Sequence, residues 1–172
     1  DELSKITGSI HHEGLAILAR EQALVSEENF LRLCEKGKLS GPLVFTDGVG
    51  NPHNLGAMTR SMAHFGAGYL LGAQKEMPKL SASWARLSEG GSESVNAVFV
   101  FNKLEFLKKM KKLGYTLLGL SSHAKQSIYS TELPEKTILI VGNEVKGLSK
   151  QVEALLSQQV VIPGTGAVES LN

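Results

Sequence analysis

The chain has 172 residues, of which 42% are hydrophobic, and its 18 basic and 17 acidic side chains give a net charge of +1. This size suits one globular domain with a short N-terminal extension. The near-neutral charge balance excludes a surface that is strongly basic overall, so if the protein binds RNA it would use a local patch, a second subunit or a further domain. The single cysteine, Cys34, excludes an internal disulfide and a cysteine-cluster metal site. The absence of a secretion signal or of a bilayer-spanning run of roughly 20 apolar residues favours a cytoplasmic protein.

The first 40 residues read as an extension that enters the main domain. Residues 14–19 are mostly apolar and predict a strand or a linker, and they follow two adjacent histidines, His11 and His12. Paired histidines can bind metal, but no further ligand lies at a useful spacing, so we predict no metal site. Ser26 and the two glutamates after it predict the start of a short helix that ends at Gly37, with the cysteine on its apolar side.

A strand, a polar loop and a helix make up the next unit. Residues 42–46 predict the strand, and a polar loop from Asp47 to Asn54 follows it. Asn51 is suited to the N-cap of the helix and Pro52 to its first position. The pattern predicts a helix from Pro52 to about residue 65, ended by a glycine.

This predicted helix carries an apolar stripe on one face. The stripe consists of Leu55, Met58, Met62 and Phe65. Arg60 lies roughly opposite the stripe at 100° per residue, so it does not belong to the core. From the pattern alone, Arg60 is either a solvated surface charge, the commoner case, or a functional group.

Strands and helices then alternate along the rest of the chain. Predicted strands cover residues 69–71, 97–101, 115–120, 137–141 and 160–162, and predicted helices cover residues 81–87, 103–113 and 150–156. This alternation predicts an α/β fold with a mostly parallel sheet, flanked by helices through right-handed crossovers. Lysines crowd the polar side of the helix at 103–113, where they either contact phosphates or form a solvated face, as most such clusters do.

The strand at residues 137–141 is an unbroken run of apolar and β-branched residues, which is typical of a strand buried on both faces. Gly142, Asn143 and Glu144 follow directly, and open α/β sheets bind ligands beyond the carboxyl ends of their strands. Gly142 would let the backbone approach a ligand, and Glu144 would supply a carboxylate. The alternative is an ordinary turn into a helix capped by Ser149.

The last residues form a glycine-containing loop that begins at Gly164. A dinucleotide fingerprint is not met, because the loop follows the last strand and Glu169 occupies the third glycine position. A further helix is expected after this loop, so we expect the natural protein to continue.

Three stretches together resemble the SpoU (TrmH-like) RNA methyltransferases of the SPOUT superfamily. Residues 47–60 resemble motif 1 of that family, residues 140–149 resemble motif 2, and residues 162–172 resemble the start of motif 3. The order and spacing of the three agree with the family. One departure is Asn51, where the family usually has aspartate, and either residue caps a helix.

The resemblance also implies a domain organisation. His12-Glu13-Gly14 is similar to a His-Gln-Gly-like linker motif of the family, with glutamate in place of glutamine. Residues 1–40 are therefore expected to follow an RNA-binding domain that this chain lacks. Residues 41–172 are expected to be a methyltransferase domain that is truncated in motif 3.

The fold and activity implied by the resemblance are specific. The fold would be a SPOUT α/β-knot, with a C-terminal trefoil knot whose last helix is missing here, and the protein would be a homodimer. The reaction would transfer a methyl group from S-adenosylmethionine to a ribose 2′-hydroxyl of tRNA or rRNA. The backbone at Gly142, Ile162 and Leu171 would hold the cofactor, with the loop at Leu120 and Ser121 nearby.

The resemblance places the catalytic positions at Asn54, Arg60, Glu144, Ser170 and Asn172. Arginine is a poor general base because its pKa exceeds about 12, so we expect Arg60 to anchor a phosphate and stabilise the developing alkoxide. Glu144 would orient Arg60, and Asn54 would steady the loop of motif 1. Ser170 and Asn172 would shape the site from the side of motif 3.

Two other functions are alternatives to this one. A non-catalytic RNA-binding member of the same fold is disfavoured because all the catalytic positions hold the expected residues. An oxidoreductase that uses a dinucleotide is disfavoured because no glycine fingerprint follows the first strand.

Overall fold

The computed structural model describes residues 2–18, 24–39, 41–165 and 167. Within them, seven strands form one sheet in the order β3-β2-β1-β6-β4-β7-β5. The strands are β1 (Leu43–Asp47), β2 (Tyr69–Ala73), β3 (Asn96–Val100), β4 (Thr116–Leu120), β5 (Gln126–Ser127), β6 (Thr137–Gly142) and β7 (Gln158–Val161). Every neighbouring pair is parallel, which confirms the predicted α/β class.

Helices flank this sheet and agree with most of the predicted ones. They are α1 (Glu2–Thr7), α2 (Glu27–Glu35), α3 (Pro52–Phe65), α4 (Ala82–Leu87), α5 (Lys103–Lys112) and α6 (Lys150–Glu153), with short 3₁₀ helices at Gly91–Glu93 and Ile128–Ser130. The sequence did not predict α1, β5 or the 3₁₀ helices, and α6 is shorter than expected. Residues 14–18 lie outside any strand, which fits the linker alternative.

Local capping signals explain why α3 begins and ends where predicted. The Asn51 side chain accepts a hydrogen bond from the His53 N–H at 2.9 Å, and Pro52 occupies the first turn. The helix ends at Gly66, whose φ of 74° is the left-handed conformation that favours glycine. The predicted stripe is wrong at its end, because Phe65 is 79% exposed.

Two apolar layers cover the two faces of the sheet, because successive strand residues point in opposite directions. Phe45 faces one layer, where it stacks on Phe106 of α5 with ring centroids 6.2 Å apart. Val44 faces the other layer, with Leu55 of α3. The fold therefore has three layers, and α3 and α5 lie on opposite faces.

The cysteine belongs to the first of these layers, as predicted. Cys34 of α2 is buried, and this burial raises the pKa of its thiol even though a hydrogen bond with Tyr115 lowers it. A thiol held neutral in this way is a small apolar core group, not a nucleophile.

The order of the last strands forces one crossing of the chain. Val160 of β7 pairs with Leu120 of β4 on one side and with Gln126 of β5 on the other. Residues 121–125 connect β4 to β5, so they have to cross β7. The trefoil knot implied by the resemblance stays a prediction.

Candidate active site

The carboxyl ends of β1, β6, β4 and β7 meet at one edge of the sheet. Asp47 is in register with Gly142, and Leu120 is in register with Val160. This edge brings together four of the five predicted cofactor-binding positions: Leu120, Ser121, Gly142 and Ile162. Leu171 lies outside the described residues.

A side-chain contact joins motif 1 to motif 2 at this edge. The Asn54 amide, in the first turn of α3, donates a hydrogen bond to Glu144 Oε1, although the two residues are 90 positions apart. The second carboxylate oxygen, Oε2, accepts a hydrogen bond from Asn143 Nδ2 at 3.1 Å. The structure therefore brings two of the predicted catalytic residues into direct contact.

Asn143 organises the loop that carries Glu144. Its Oδ1 accepts hydrogen bonds from the backbone N–H groups of Val145 and Lys146, both at 3.0 Å. Its Nδ2 also donates to the Gly48 carbonyl at 3.0 Å, which attaches this loop to the motif 1 loop. Asn143 follows Gly142 in the sequence, and nothing local showed that it would bridge two loops.

Gly142 is required by the loop itself. A Cβ at this position would lie 2.6 Å from the Gly147 carbonyl oxygen and 2.6 Å from the Leu148 nitrogen. The Cβ side of Gly142 is therefore filled by Gly147, whereas the approach of a ligand to the Gly142 backbone stays a prediction. The absence of a side chain at Gly142 allows the loop to turn back so that Gly147 packs against it, and this tight loop directs Glu144 towards Asn54.

A charged network lies beneath the two loops, and sequence reasoning missed it. Lys103 Nζ, at the start of α5, is 2.6 Å from Asp47 Oδ1 and 2.6 Å from Glu76 Oε1. The other oxygen of Asp47 accepts a hydrogen bond from the Ser149 N–H at 2.6 Å, and Glu76 Oε2 accepts one from the Gly48 N–H at 3.1 Å. The network thus holds the motif 1 loop at Gly48 and the motif 2 segment at Ser149.

Burial and charge act in opposite directions on Lys103. Burial lowers the pKa of its ammonium group, whereas hydrogen bonds to Asp47 and Glu76 raise it, and the net pKa is raised. Lys103 therefore stays protonated beside the Asp47 side chain, which is only 1% exposed. A useful sequence signal was an aspartate that ends a buried strand, because such a charge needs a partner.

Ser149 occupies the predicted N-cap position of α6, but not with the predicted bond. Its hydroxyl makes no capping hydrogen bond, and the buried Oγ has no hydrogen-bond partner among the described residues. Its backbone N–H, bound to Asp47, is what fixes this residue.

Arg60 points away from the Asn54–Glu144 contact. The two α3 residues are six positions apart, which places their side chains about 120° apart around the helix. Arg60 Nη1 instead forms a salt bridge with Glu89 Oε1 at 2.7 Å. The predicted orientation of Arg60 by Glu144 is therefore not present in this chain. Ser170 and Asn172 lie outside the described residues.

Comparison with known proteins identifies the family. The sequence model of the SpoU rRNA methylase family matches residues 41–172. The chain belongs to this family. The match begins just before β1 and includes both loops of the edge described above.

Three proteins similar to this SpoU chain illustrate the relationship. The chain is 30% identical over 171 residues to the uncharacterized tRNA/rRNA methyltransferase YfiF of Escherichia coli O157:H7, covering 99% of this chain and 48% of that protein. It is 31% identical over 170 residues to the 23S rRNA (guanosine-2′-O-)-methyltransferase RlmB of Xanthomonas axonopodis pv. citri, covering 99% of this chain and 68% of that protein. The crystal structure of the SpoU methyltransferase AviRb from Streptomyces viridochromogenes, in complex with its cofactor AdoMet, superposes with a TM-score of 0.65 at 26% identity, over 76% of this chain and 53% of that one. This SpoU chain therefore spans about half the length of YfiF and AviRb.

Two kinds of feature are absent from the described part of this SpoU chain. No helix there has the length and apolar character that a membrane crossing requires. No group of three or more His, Cys, Asp or Glu side chains there is arranged to hold a metal ion.

Proposed function

We propose that this chain is the catalytic domain of a methyltransferase that uses S-adenosylmethionine to modify a ribose 2′-hydroxyl of tRNA or rRNA. The observation that carries the proposal is the hydrogen bond between Asn54 and Glu144, which joins motifs 1 and 2 beside the strand ends. Membership of the SpoU family supports it, as does the activity in the name of RlmB.

The residues at the strand ends fit S-adenosylmethionine. Ile162 is apolar and 43% exposed, so a purine ring could cover it. Leu120 ends β4, Ser121 follows it and Gly142 ends β6, so their backbone groups would be offered to a nucleoside at the same edge, and Leu171 would join them by resemblance. When bound, S-adenosylmethionine supplies a methyl group on a cationic sulfonium, and the protein has mainly to align the acceptor oxygen.

Arg60 would bind the RNA. Its guanidinium is 59% exposed and can form paired, charge-assisted hydrogen bonds with a phosphate. A fixed positive charge there would also stabilise the oxyanion that develops on the ribose. Asn54 and Glu144 would fix the loops on which this alignment depends.

The organisation of the whole protein is proposed on the same basis. A homodimer, with Arg60 reaching a site shared between subunits, is supported by the outward direction of its side chain. Residues 1–40 would link the domain to an RNA-binding domain, which the greater length of the relatives supports. We place the protein in the cytoplasm, where tRNA and rRNA are modified.

The test begins with calorimetric titration of the full-length protein with S-adenosylmethionine, with NAD as the control. Saturable binding of S-adenosylmethionine alone is expected. Transfer of tritiated methyl groups to total RNA should follow, and the product should resist alkaline cleavage at one linkage, because a methylated 2′-oxygen cannot attack the phosphate. RNA binding without cofactor binding would instead favour a non-catalytic member of the family.

A further inference from the structure

We propose that Glu89 is a positioning residue for Arg60, which holds one guanidinium nitrogen and turns the others towards a phosphate of the RNA substrate. This inference rests on the proposed function. Glu89 lies outside the three motifs that carry the SpoU resemblance, in the turn between α4 and the 3₁₀ helix at Gly91–Glu93.

The contact is short but exposed. Arg60 Nη1 is 2.7 Å from Glu89 Oε1, and the two side chains are 59% and 60% exposed. Ion pairs in such surroundings contribute little to stability, because water screens them and two long side chains must be ordered. A role in stabilising the fold therefore does not account for this pair.

The backbone around Glu89 is packed closely against α3. A Cβ on Gly91 would lie 3.0 Å from the Thr59 carbonyl oxygen and 3.1 Å from the Cα of Arg60. A Cβ on Gly56 would lie 2.6 Å from the Cβ of Leu87. Glycines on α3 and on the segment after α4 thus let the turn that contains Glu89 lie directly against the helical turn that carries Arg60.

Buried hydrogen bonds fix the same interface. Trp84 Nε1 donates to Thr59 Oγ1 at 2.8 Å, and both side chains are buried. Ser88 Oγ donates to the Ala85 carbonyl at 2.7 Å and accepts from the Ser92 N–H at 3.3 Å. These bonds place the residues next to Arg60 and Glu89 in a rigid frame, although the two charged groups themselves are in water.

The backbone of Glu89 is strained. Its φ is +45°, in the left-handed region that glycine or asparagine adopts more readily than glutamate. Such conformations persist where the surroundings impose them, and they are common at functional sites. The residue with this strained backbone is the one whose carboxylate contacts Arg60.

The chemistry of arginine makes this arrangement useful. A guanidinium has five N–H donors in a planar fork, and the bond to Glu89 uses only Nη1. The described residues provide no partner for Nη2 or Nε of Arg60. Because Glu89 already holds Nη1, the Arg60 side chain loses less conformational freedom when Nη2 and Nε bind a phosphate than a freely rotating arginine would. The bound phosphate and its ribose are therefore better aligned for the reaction.

A matched pair of variants in the full-length protein tests the proposal. Glu89→Gln keeps the length and the hydrogen-bond acceptor, whereas Glu89→Asn has the same amide one methylene shorter and tolerates the left-handed backbone. We expect Glu89→Asn to lower kcat about tenfold or more, because small displacements of aligning groups have large effects. We expect Glu89→Gln to stay within about threefold of the wild type, since it can still accept from Nη1. Affinity for S-adenosylmethionine should not change in either variant.

Several results would overturn the inference. One is an unchanged kcat in Glu89→Asn. Another is a lower KM for RNA in both variants at unchanged kcat, because Glu89 would then compete with the phosphate for Arg60.

Nitrogen-15 NMR of the arginine side chains, assigned with Arg60→Lys, reports on the contact between Glu89 and Arg60 without any methyl transfer. Restricted rotation of the Arg60 guanidinium is expected in the wild type and in Glu89→Gln but not in Glu89→Asn, and free rotation in the wild type also contradicts the role. An inactive wild type that shows the restricted signal would reject the proposed function and leave the Arg60–Glu89 relationship supported.

Discussion

Asp47 and Lys103 form a largely buried ion pair, with Lys103 Nζ 2.6 Å from Asp47 Oδ1, although 56 residues separate them in the chain. Asp47 ends β1 and Lys103 begins α5, so the pair ties the edge of the sheet to a helix on one face. Because Asp47 also binds the Ser149 N–H, this ion pair supports the segment that carries motif 2. The two loops of the proposed site are thus held by a charge pair that lies outside the predicted catalytic positions.

Removing the positive charge should destabilise the protein strongly. Lys103→Met leaves the Asp47 and Glu76 carboxylates without their cation, and breaking a buried pair in this way typically costs about 3–5 kcal/mol. Because Lys103 is partly exposed, we expect a loss of about 3 kcal/mol in the free energy of unfolding, measured with urea. The control is Lys108→Met in the same helix, whose partner Glu105 is exposed, and it should change little. Equal losses in the two variants would rule out a special role for Lys103.

The contribution of Lys103 should depend on pH only in strong alkali. Its folded pKa is raised above the ordinary lysine value of about 10.5 by Asp47 and Glu76, against the opposing effect of burial. A raised pKa means that the stabilisation is fully present below the unfolded pKa and is lost as the pH rises through the folded pKa. The difference in unfolding free energy between the wild type and Lys103→Met should therefore be constant from about pH 7 to 9 and fall above about 10.5. An increase of this difference as the pH rises from about 9 to 10.5 would show that the pKa is lowered instead.

The parts of the fold that sequence reasoning predicted are those with local causes. Asn51, Pro52 and Gly66 mark the ends of α3 by their own conformational preferences, and the run that became β6 has the composition of a buried parallel strand. Phe65 was wrongly predicted to be in the core, because it lies at the end of the helix, beyond the apolar layer that buries Met62. Helical periodicity alone does not show where that layer stops.

The parts that were missed depend on the order of strands in the sheet. Lys103 contacts Asp47 and Glu76 only because β3, β2 and β1 are neighbours, which no local pattern reveals. The pairing of Arg60 with Glu89 similarly depends on how α4 packs against α3. Conversely, Asn54 and Glu144 were identified through resemblance to a family, and their direct contact was not foreseen.

Adding one methyl group at Gly142 should disable the site. In Gly142→Ala the new Cβ would lie 2.6 Å from the Gly147 carbonyl oxygen, so the loop that carries Glu144 must move. We expect a loss of about 1–3 kcal/mol in stability, as for overpacking, and a fall of about 100-fold in methyl transfer. Gly68→Ala is the control, because a Cβ there meets nothing within 4 Å. A variant of Gly142 with full activity would mean that the loop adapts without moving Glu144.

The contact between Asn54 and Glu144 should show as coupling in a double-mutant cycle. If the two side chains act together, Asn54→Ala and Glu144→Ala should each lower kcat, and the double variant should be little worse than either single one. The comparison cycle combines Asn54→Ala with Glu105→Ala, a glutamate bound to Lys108 on another helix, and its effects should add. Additive losses for Asn54 and Glu144 would indicate that each acts separately on RNA or cofactor.

Arg60 should be needed for methyl transfer but not for cofactor binding. Arg60→Ala removes the guanidinium from a position that faces Glu89, away from the strand ends where S-adenosylmethionine is proposed to bind. We expect methyl transfer to be abolished while the Kd for S-adenosylmethionine, measured by calorimetry, stays within about twofold, because uncoupled distant sites act independently. Arg60→Lys keeps the positive charge but loses the planar set of N–H donors that can form paired hydrogen bonds with a phosphate. If those paired bonds align the ribose, Arg60→Lys should bind RNA better than Arg60→Ala does, while its kcat stays far below that of the wild type. Loss of cofactor binding together with activity in Arg60→Ala would show that Arg60 shapes the cofactor site and does not act on the RNA alone.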